Sequence, residues 1–93
     1  MTPRTMTIRT TKPFDRDFAG LPEHIKERAE KQFALLLQNP RHPSLRVKKM
    51  KGRWGEQGVF EARVTGGYRF TFQVEGEVYL LRRIGPHDIL KTP

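Results

Sequence analysis

Hydrophobic periods change along the chain, and each change marks an element. From Met6 to Lys12, apolar Met6 and Ile8 alternate with Thr7, Arg9 and Thr11, the two-residue period of a strand. From Phe14 the spacing lengthens. Phe14, Phe18 and Leu21 fall at i, i+4 and i+7, one face of a short helix. Gly20 and Pro22 interrupt it, and Pro22 suits the first turn of a second helix, where its missing N–H costs nothing. Ile25, Ala29, Phe33 and Leu36 then form one stripe with Leu37 beside it, while Glu23, Lys26, Glu27 and Lys31 cover the rest. Asn39-Pro40 stops that helix. The two helices are expected to pack as an antiparallel hairpin.

After a loop at 40–44 the period returns to two. Leu45 and Val47 alternate with Arg46, Lys48 and Met50, which predicts a strand. Residues 52–58, with three glycines, predict a flexible connection. Phe60, Ala62 and Val64 alternate with Glu61, Arg63 and Thr65. Gly66-Gly67 is a hairpin signal, and Tyr68, Phe70, Phe72 and Val74 follow against Arg69, Thr71, Gln73 and Glu75. Gly76 makes another turn. Val78 to Ile84 is apolar on both sides for part of its length, as in a central strand. The tail 85–93 is read as a loop or helical turn. The order β-α-α-β-β-β-β gives an α+β fold: two N-terminal helices on a mainly antiparallel, twisted sheet of roughly four or five strands. The aromatic side of the strands should face the helices. The side carrying Arg63, Arg69, Thr71 and Gln73 should be an exposed concave face. Ninety-three residues suit one domain, 1–93.

Composition adds a partner to this picture. Eighteen Lys and Arg face ten Asp and Glu, for a net charge of +8 and a pI near 10.5. So much positive charge on a small body attracts polyanions: nucleic acid first, or an acidic protein. The plainer alternative is a soluble protein that is simply basic. There are no cysteines, which excludes disulfides, thiolate metal sites and a Cys nucleophile, and fits a reducing cytoplasm. Residues 1–13 carry Arg4, Arg9 and Lys12 but no apolar stretch, so no secretory signal is expected. No segment reaches membrane-spanning length. Neither a Walker-type nor a Rossmann glycine loop is present, so no cofactor is expected.

Few side chains can move protons near neutral pH. His24 lies on the polar side of the second helix and His42 between two prolines, and both read as surface residues. His87 follows a strand end and a Gly-Pro turn, at the rim of the basic face, beside Arg83 and Asp88. Asp88 reads equally as a helix cap. No His/Asp/Glu cluster has metal-ligand spacing. Lys48, Lys49, Lys51 and Arg53 form a basic run, usually just a solvated face. Strand parity, however, aligns Lys49 or Lys51 with Arg63 and Arg69 across adjacent strands. That patch would bind phosphate without metal, since arginines hold a pentacoordinate phosphate through fixed donors. An RNase of that kind needs a base for the 2′-OH, cations and an acid for the leaving oxygen. His87 is a candidate for either proton-transfer role. Trp54 either stacks on a base or caps the edge of the core.

Three segments together resemble the RelE/ParE superfamily of bacterial toxin–antitoxin toxins, in its RelE/YafQ/YoeB-like branch. They are the helix end Leu35-Leu36-Leu37-Gln38-Asn39-Pro40-Arg41, the hairpin from Val59 to Phe72 with Tyr68-Arg69 after its turn, and Arg83-Ile84-Gly85-Pro86-His87-Asp88-Ile89-Leu90. In element order and length the resemblance runs from Phe14 to Leu90. It implies a metal-independent endoribonuclease that cuts mRNA in the ribosomal A site by 2′-OH attack on the adjacent phosphate, and a small acidic antitoxin as partner. By resemblance, Arg69 matches the phosphate-stabilising arginine, His87 the C-terminal catalytic histidine and Arg83 the arginine four residues before it. Arg63 and Glu61 stand where the family has lysines, and Glu61 is either a base or the mark of a different layout. Lys48, Lys49, Lys51, Arg53, Trp54 and Arg82 complete the expected RNA-binding set. The family's C-terminal tyrosine has no counterpart. Two other functions share these features: a ParE-like gyrase inhibitor, and a basic RNA- or ribosome-binding module without catalysis.

Overall fold

A computed structural model describes residues 5–93; Arg4 and the first threonine lie outside them. Along the chain come β1 (Thr7–Thr10), α1 (Lys12–Ala19), α2 (Glu23–Gln38), a 3-10 turn (Pro43–Leu45), β2 (Lys48–Lys49), α3 (Gly52–Glu56), β3 (Phe60–Arg63), β4 (Tyr68–Glu75), β5 (Val78–Pro86) and a last 3-10 turn (His87–Lys91). The strands form one mixed sheet in the order β1-β5-β4-β3-β2. β1 runs parallel to β5, and the other pairs are antiparallel. β5 is an interior strand, flanked by β1 and β4, in line with its two-sided apolar run.

Local chemistry explains the helices. Thr11 caps α1 by accepting from the Phe14 N–H, and Pro13 sits in the first turn. Pro22 directly precedes α2, and Asn39 ends it. Ile25, Ala29 and Leu36 of α2 are buried against Ala62, Val64, Phe70, Phe72, Leu81 and Ile84 of the sheet. The Phe33 ring meets Phe70 edge-on at 5.3 Å and touches Phe14 and Phe18 of α1. The aromatic side of the strands does face the helices.

Two segments differ from the sequence reading. Leu45 ends a 3-10 turn instead of starting a strand, and β2 is confined to Lys48–Lys49. The cause is local: Pro43 opens the turn, the His42 ring caps it by accepting from the Ser44 N–H, and Arg46 takes a left-handed conformation (φ 46, ψ 47) that redirects the chain. For a residue other than glycine that conformation costs on the order of 1 kcal/mol or more. Within the glycine-rich 52–58 segment, Gly52–Glu56 form a helix, α3, where a flexible connection was expected. Gly55 is there for close approach, since a Cβ on it would lie 1.8 Å from the Met50 carbonyl oxygen. Gly58, at φ +82, turns the chain out of α3.

The second sheet face is also not open. Ile89 of the last turn and Pro93 are buried there. Thr71, read as exposed, is fully buried and its hydroxyl bonds the Pro93 carbonyl (3.4 Å). The tail therefore folds back over the middle of the face and positions what lies at its start.

Candidate active site

β5 carries an irregularity opposite Thr71 and Phe72: Thr71 pairs with Arg83 and Phe72 with Leu81, so Arg82 is the extra residue of a bulge. A bulge frees backbone N–H groups, and those of the next two residues are satisfied by side chains. The Thr71 hydroxyl accepts from the Arg83 N–H (3.1 Å), and the Asp17 carboxylate accepts from the Ile84 N–H (3.2 Å). Both arginines then reach the folded-back tail. Arg82 Nε donates to the Pro93 carbonyl (2.9 Å) and Nη1 to Gln73 (2.8 Å), and its guanidinium lies over the Trp54 ring at 5.9 Å. Arg83 donates from Nε and Nη2 to Asp17 (2.6 and 3.2 Å) and from Nη1 to the Thr92 carbonyl (3.2 Å). The hydrogen bond and the charge of Asp17 raise the Arg83 pKa against partial desolvation.

Clamped in this way, the tail sets His87 at the mouth of a cleft of about 380 Å³. Lys48, Lys49, Met50 and Lys51 form one wall, with Trp54, Glu61, His87 and Leu90 around the rest. The register explains the gathering. Lys48 faces Glu61 across β2 and β3, and Glu61 faces Thr71 on β4. Glu61 is 9% exposed and pairs with the exposed Lys48 ammonium at 3.4 Å. His87 is solvent-exposed. The cleft thus holds a carboxylate, an imidazole and three ammonium groups: two groups able to exchange protons and positive charge for an anion.

Apart from Arg53, the sequence-expected residues divide into three groups. His87, Glu61, Lys48, Lys49, Lys51 and Trp54 come together here. Arg82 and Arg83 lie behind the tail, in a neighbouring cleft with Trp54, Thr92 and Pro93. Arg63 and Arg69 face each other beside the β3–β4 turn, with Arg69 paired to Gly85 of β5, two residues before His87, yet neither lines the His87 cleft. Arg69 Nη1 donates to the carbonyls of Thr65 (2.6 Å) and Tyr68 (3.0 Å), which holds the hairpin turn although neither Gly66 nor Gly67 has a positive φ. No lysine joins Arg63 and Arg69 in a row, because β2 ends before reaching that level. Arg53, on α3, is exposed. His42 is a capping residue and His24 is exposed on α2. Among the described residues no His, Asp and Glu group has the geometry of a metal site, and no helix is long and apolar enough to cross a membrane.

Sequence reasoning missed Asp17 and Gln32. Nothing in the pattern of α1 singles out Asp17. Gln32 did carry a signal, since it falls three residues after Ala29 and four before Leu36, on the buried stripe.

The fold has solved counterparts. E. coli YafQ superposes with a TM-score of 0.74 at 17% identity, over 91% of this chain and 97% of that one. The architecture is that of the RelE-type toxins. RelE from the RelB–RelE antitoxin–toxin complex of Methanococcus jannaschii gives 0.68 at 25% identity, over 89% and 94%. A YoeB/ParE toxin from Agrobacterium tumefaciens gives 0.73 at 16%, over 88% and 99%. No protein-family model and no curated protein matches the sequence. The RelE-type fold is therefore carried by the shape, with the resemblance in sequence confined to short segments.

Proposed function

We propose that the chain is the toxin of a type II toxin–antitoxin pair, acting in the cytoplasm as a metal-independent, ribosome-dependent endoribonuclease. The observation that carries this reading is the cleft that joins His87, Glu61 and three lysines on a RelE-type fold. Glu61 accepts the proton of a ribose 2′-OH. The 2′ oxygen attacks the adjacent phosphorus, and the bond from phosphorus to the 5′ oxygen breaks. His87, as imidazolium, gives that oxygen its proton. The products are a 2′,3′-cyclic phosphate and a 5′-hydroxyl. Lys48, Lys49 and Lys51 offset the charge that builds on the phosphate. Arg82 and Arg83 act as positioning residues, holding Thr92 and Pro93 so that the His87 turn keeps its place. Trp54, already under the Arg82 guanidinium, offers its free surface to a base.

A small acidic antitoxin is the proposed protein partner. The M. jannaschii neighbour was solved as an antitoxin–toxin complex, and a charge of +8 suits an acidic ligand. Brief induction followed by primer extension on cellular mRNA tests the activity. New ends are expected with the wild type and not with His87→Ala. Equal cutting by His87→Ala overturns the mechanism, and double-strand breaks in supercoiled DNA with intact mRNA overturn it in favour of gyrase poisoning.

A further inference from the structure

A second basic cleft shares no lining residue with the His87 cleft. It measures about 570 Å³ and opens between α2, the 43–46 segment and the β3–β4 turn, with Arg28, Arg46 and Arg63 on its walls beside Ser44 and Thr65. None of its lining residues is acidic. The ion pairs among the described residues, Lys48–Glu61 and Arg83–Asp17, leave these three arginines out. Arg28 spends only its Nε, on the Val64 carbonyl (3.3 Å). Three guanidinium groups that share a cleft without a counter-charge repel one another and favour an anion.

The walls are fixed in advance. Gln32, 1% exposed, donates from its amide nitrogen to the carbonyls of Ser44 (3.3 Å) and Arg63 (2.8 Å) at once. That single buried amide ties the loop wall and the strand wall to α2. Arg69 secures the third wall through the Thr65 carbonyl. Arg46 holds its left-handed backbone at the loop's exit.

We propose that this cleft binds backbone phosphates of an RNA strand, at a site separate from the His87 cleft. Guanidinium forks match phosphate oxygens two at a time, and three of them suit consecutive phosphates better than one small anion. An acidic peptide is disfavoured by the lining, whose apolar members are only Pro43 and the buried Val64, with no seat for a hydrophobic anchor. Glu61 and Arg63 sit two positions apart on β3 and point to the same side, roughly 7 Å apart along the strand. One RNA strand can therefore reach both clefts. The proposal rests on RNA as partner and not on the His87 chemistry.

The test uses the full chain with a short single-stranded 2′-O-methyl RNA, which has no 2′-OH to react. Binding is followed by fluorescence anisotropy across a salt series, for the His87→Ala protein with and without Arg28→Gln, Arg46→Gln and Arg63→Gln together. Loss of three phosphate contacts is expected to flatten the salt slope by about 2 and to weaken binding at low salt at least about tenfold. An unchanged slope overturns the proposal. In parallel, the Nε–Hε resonances of Arg28, Arg46 and Arg63 are followed by NMR in the protein without arginine substitutions. They are expected to move with RNA; movement with a polyglutamate peptide and not with RNA marks a protein-binding site and overturns it. If the arginines respond to RNA while the wild type cuts none, the cleft stands and the nuclease reading falls.

Discussion

Arg82 and Arg83 are adjacent in sequence and alike in charge, and the bulge gives them different work. Arg82 is shared among Trp54, Gln73 and Pro93, while Arg83 is committed to Asp17 and Thr92. The Asp17 carboxylate also satisfies the Ile84 N–H, so Asp17→Ala is expected to lower unfolding free energy by about 2 kcal/mol, measured by chemical denaturation. The pH dependence follows from Arg83. A guanidinium whose pKa is raised on folding contributes stability that is complete below its unfolded value and lost only as pH rises through the folded one, far above neutrality. The gap between wild type and Asp17→Ala should therefore be the same at about pH 7 and about pH 9. A gap that closes over that interval would contradict the assignment. At this scale His87 was legible because proton-transfer groups are few, and Glu61 through the family resemblance; the two line one cleft. Asp17 was not, because an acidic residue on the polar side of a helix looks the same whether it meets solvent or an arginine far along the chain.

Among the elements, α2 was the most legible, since its stripe of Ile25, Ala29, Phe33 and Leu36 needs only a helical period and a sheet to face. Gln32 on that stripe is the exception that does positional work. Gln32→Leu keeps the volume and leaves the Ser44 and Arg63 carbonyls without their donor; a loss of about 1–3 kcal/mol is expected in thermal or denaturant unfolding. The Leu45–Met50 and Gly52–Gly58 segments were misread for opposite reasons. Leu45 and Val47 alternate like a strand, but capping by His42 and the turn at Arg46 override the period. The glycines suggested flexibility, but Gly55 permits a close contact with Met50. The tail reads as a loop or helical turn, which His87–Lys91 forms, but its fold-back over the sheet was not legible because the long-range bonds from Thr71, Arg82 and Arg83 hold it down. Gly85→Ala tests its role: the new Cβ would lie 2.9 Å from Ile89 Cγ2 and push the His87 turn outward. RNA cleavage should fall by at least about tenfold, because catalysis is sensitive to displacements of about 1 Å. Unchanged cleavage would remove the tail from the account.

At the scale of the whole molecule, part of the +8 charge gathers in two clefts on one small body. One holds lysines with a carboxylate and an imidazole, and the other holds arginines alone. The order of elements was legible because periodicity and turn chemistry agree along most of the chain, and the RelE-type architecture through the three short segments that resemble that family. The separation of the clefts was not, because it depends on the register of β2 against β3 and on where β2 stops. The central claim is that the His87 cleft cuts RNA by 2′-OH attack. The most direct test supplies purified wild-type and His87→Ala protein with ribosomes carrying a defined message and reads the new ends by mass spectrometry. The account predicts 2′,3′-cyclic phosphate and 5′-hydroxyl ends from the wild type, with cutting reduced at least about a hundredfold in His87→Ala. Undiminished cutting by the variant, or 5′-phosphate ends from the wild type, would contradict it.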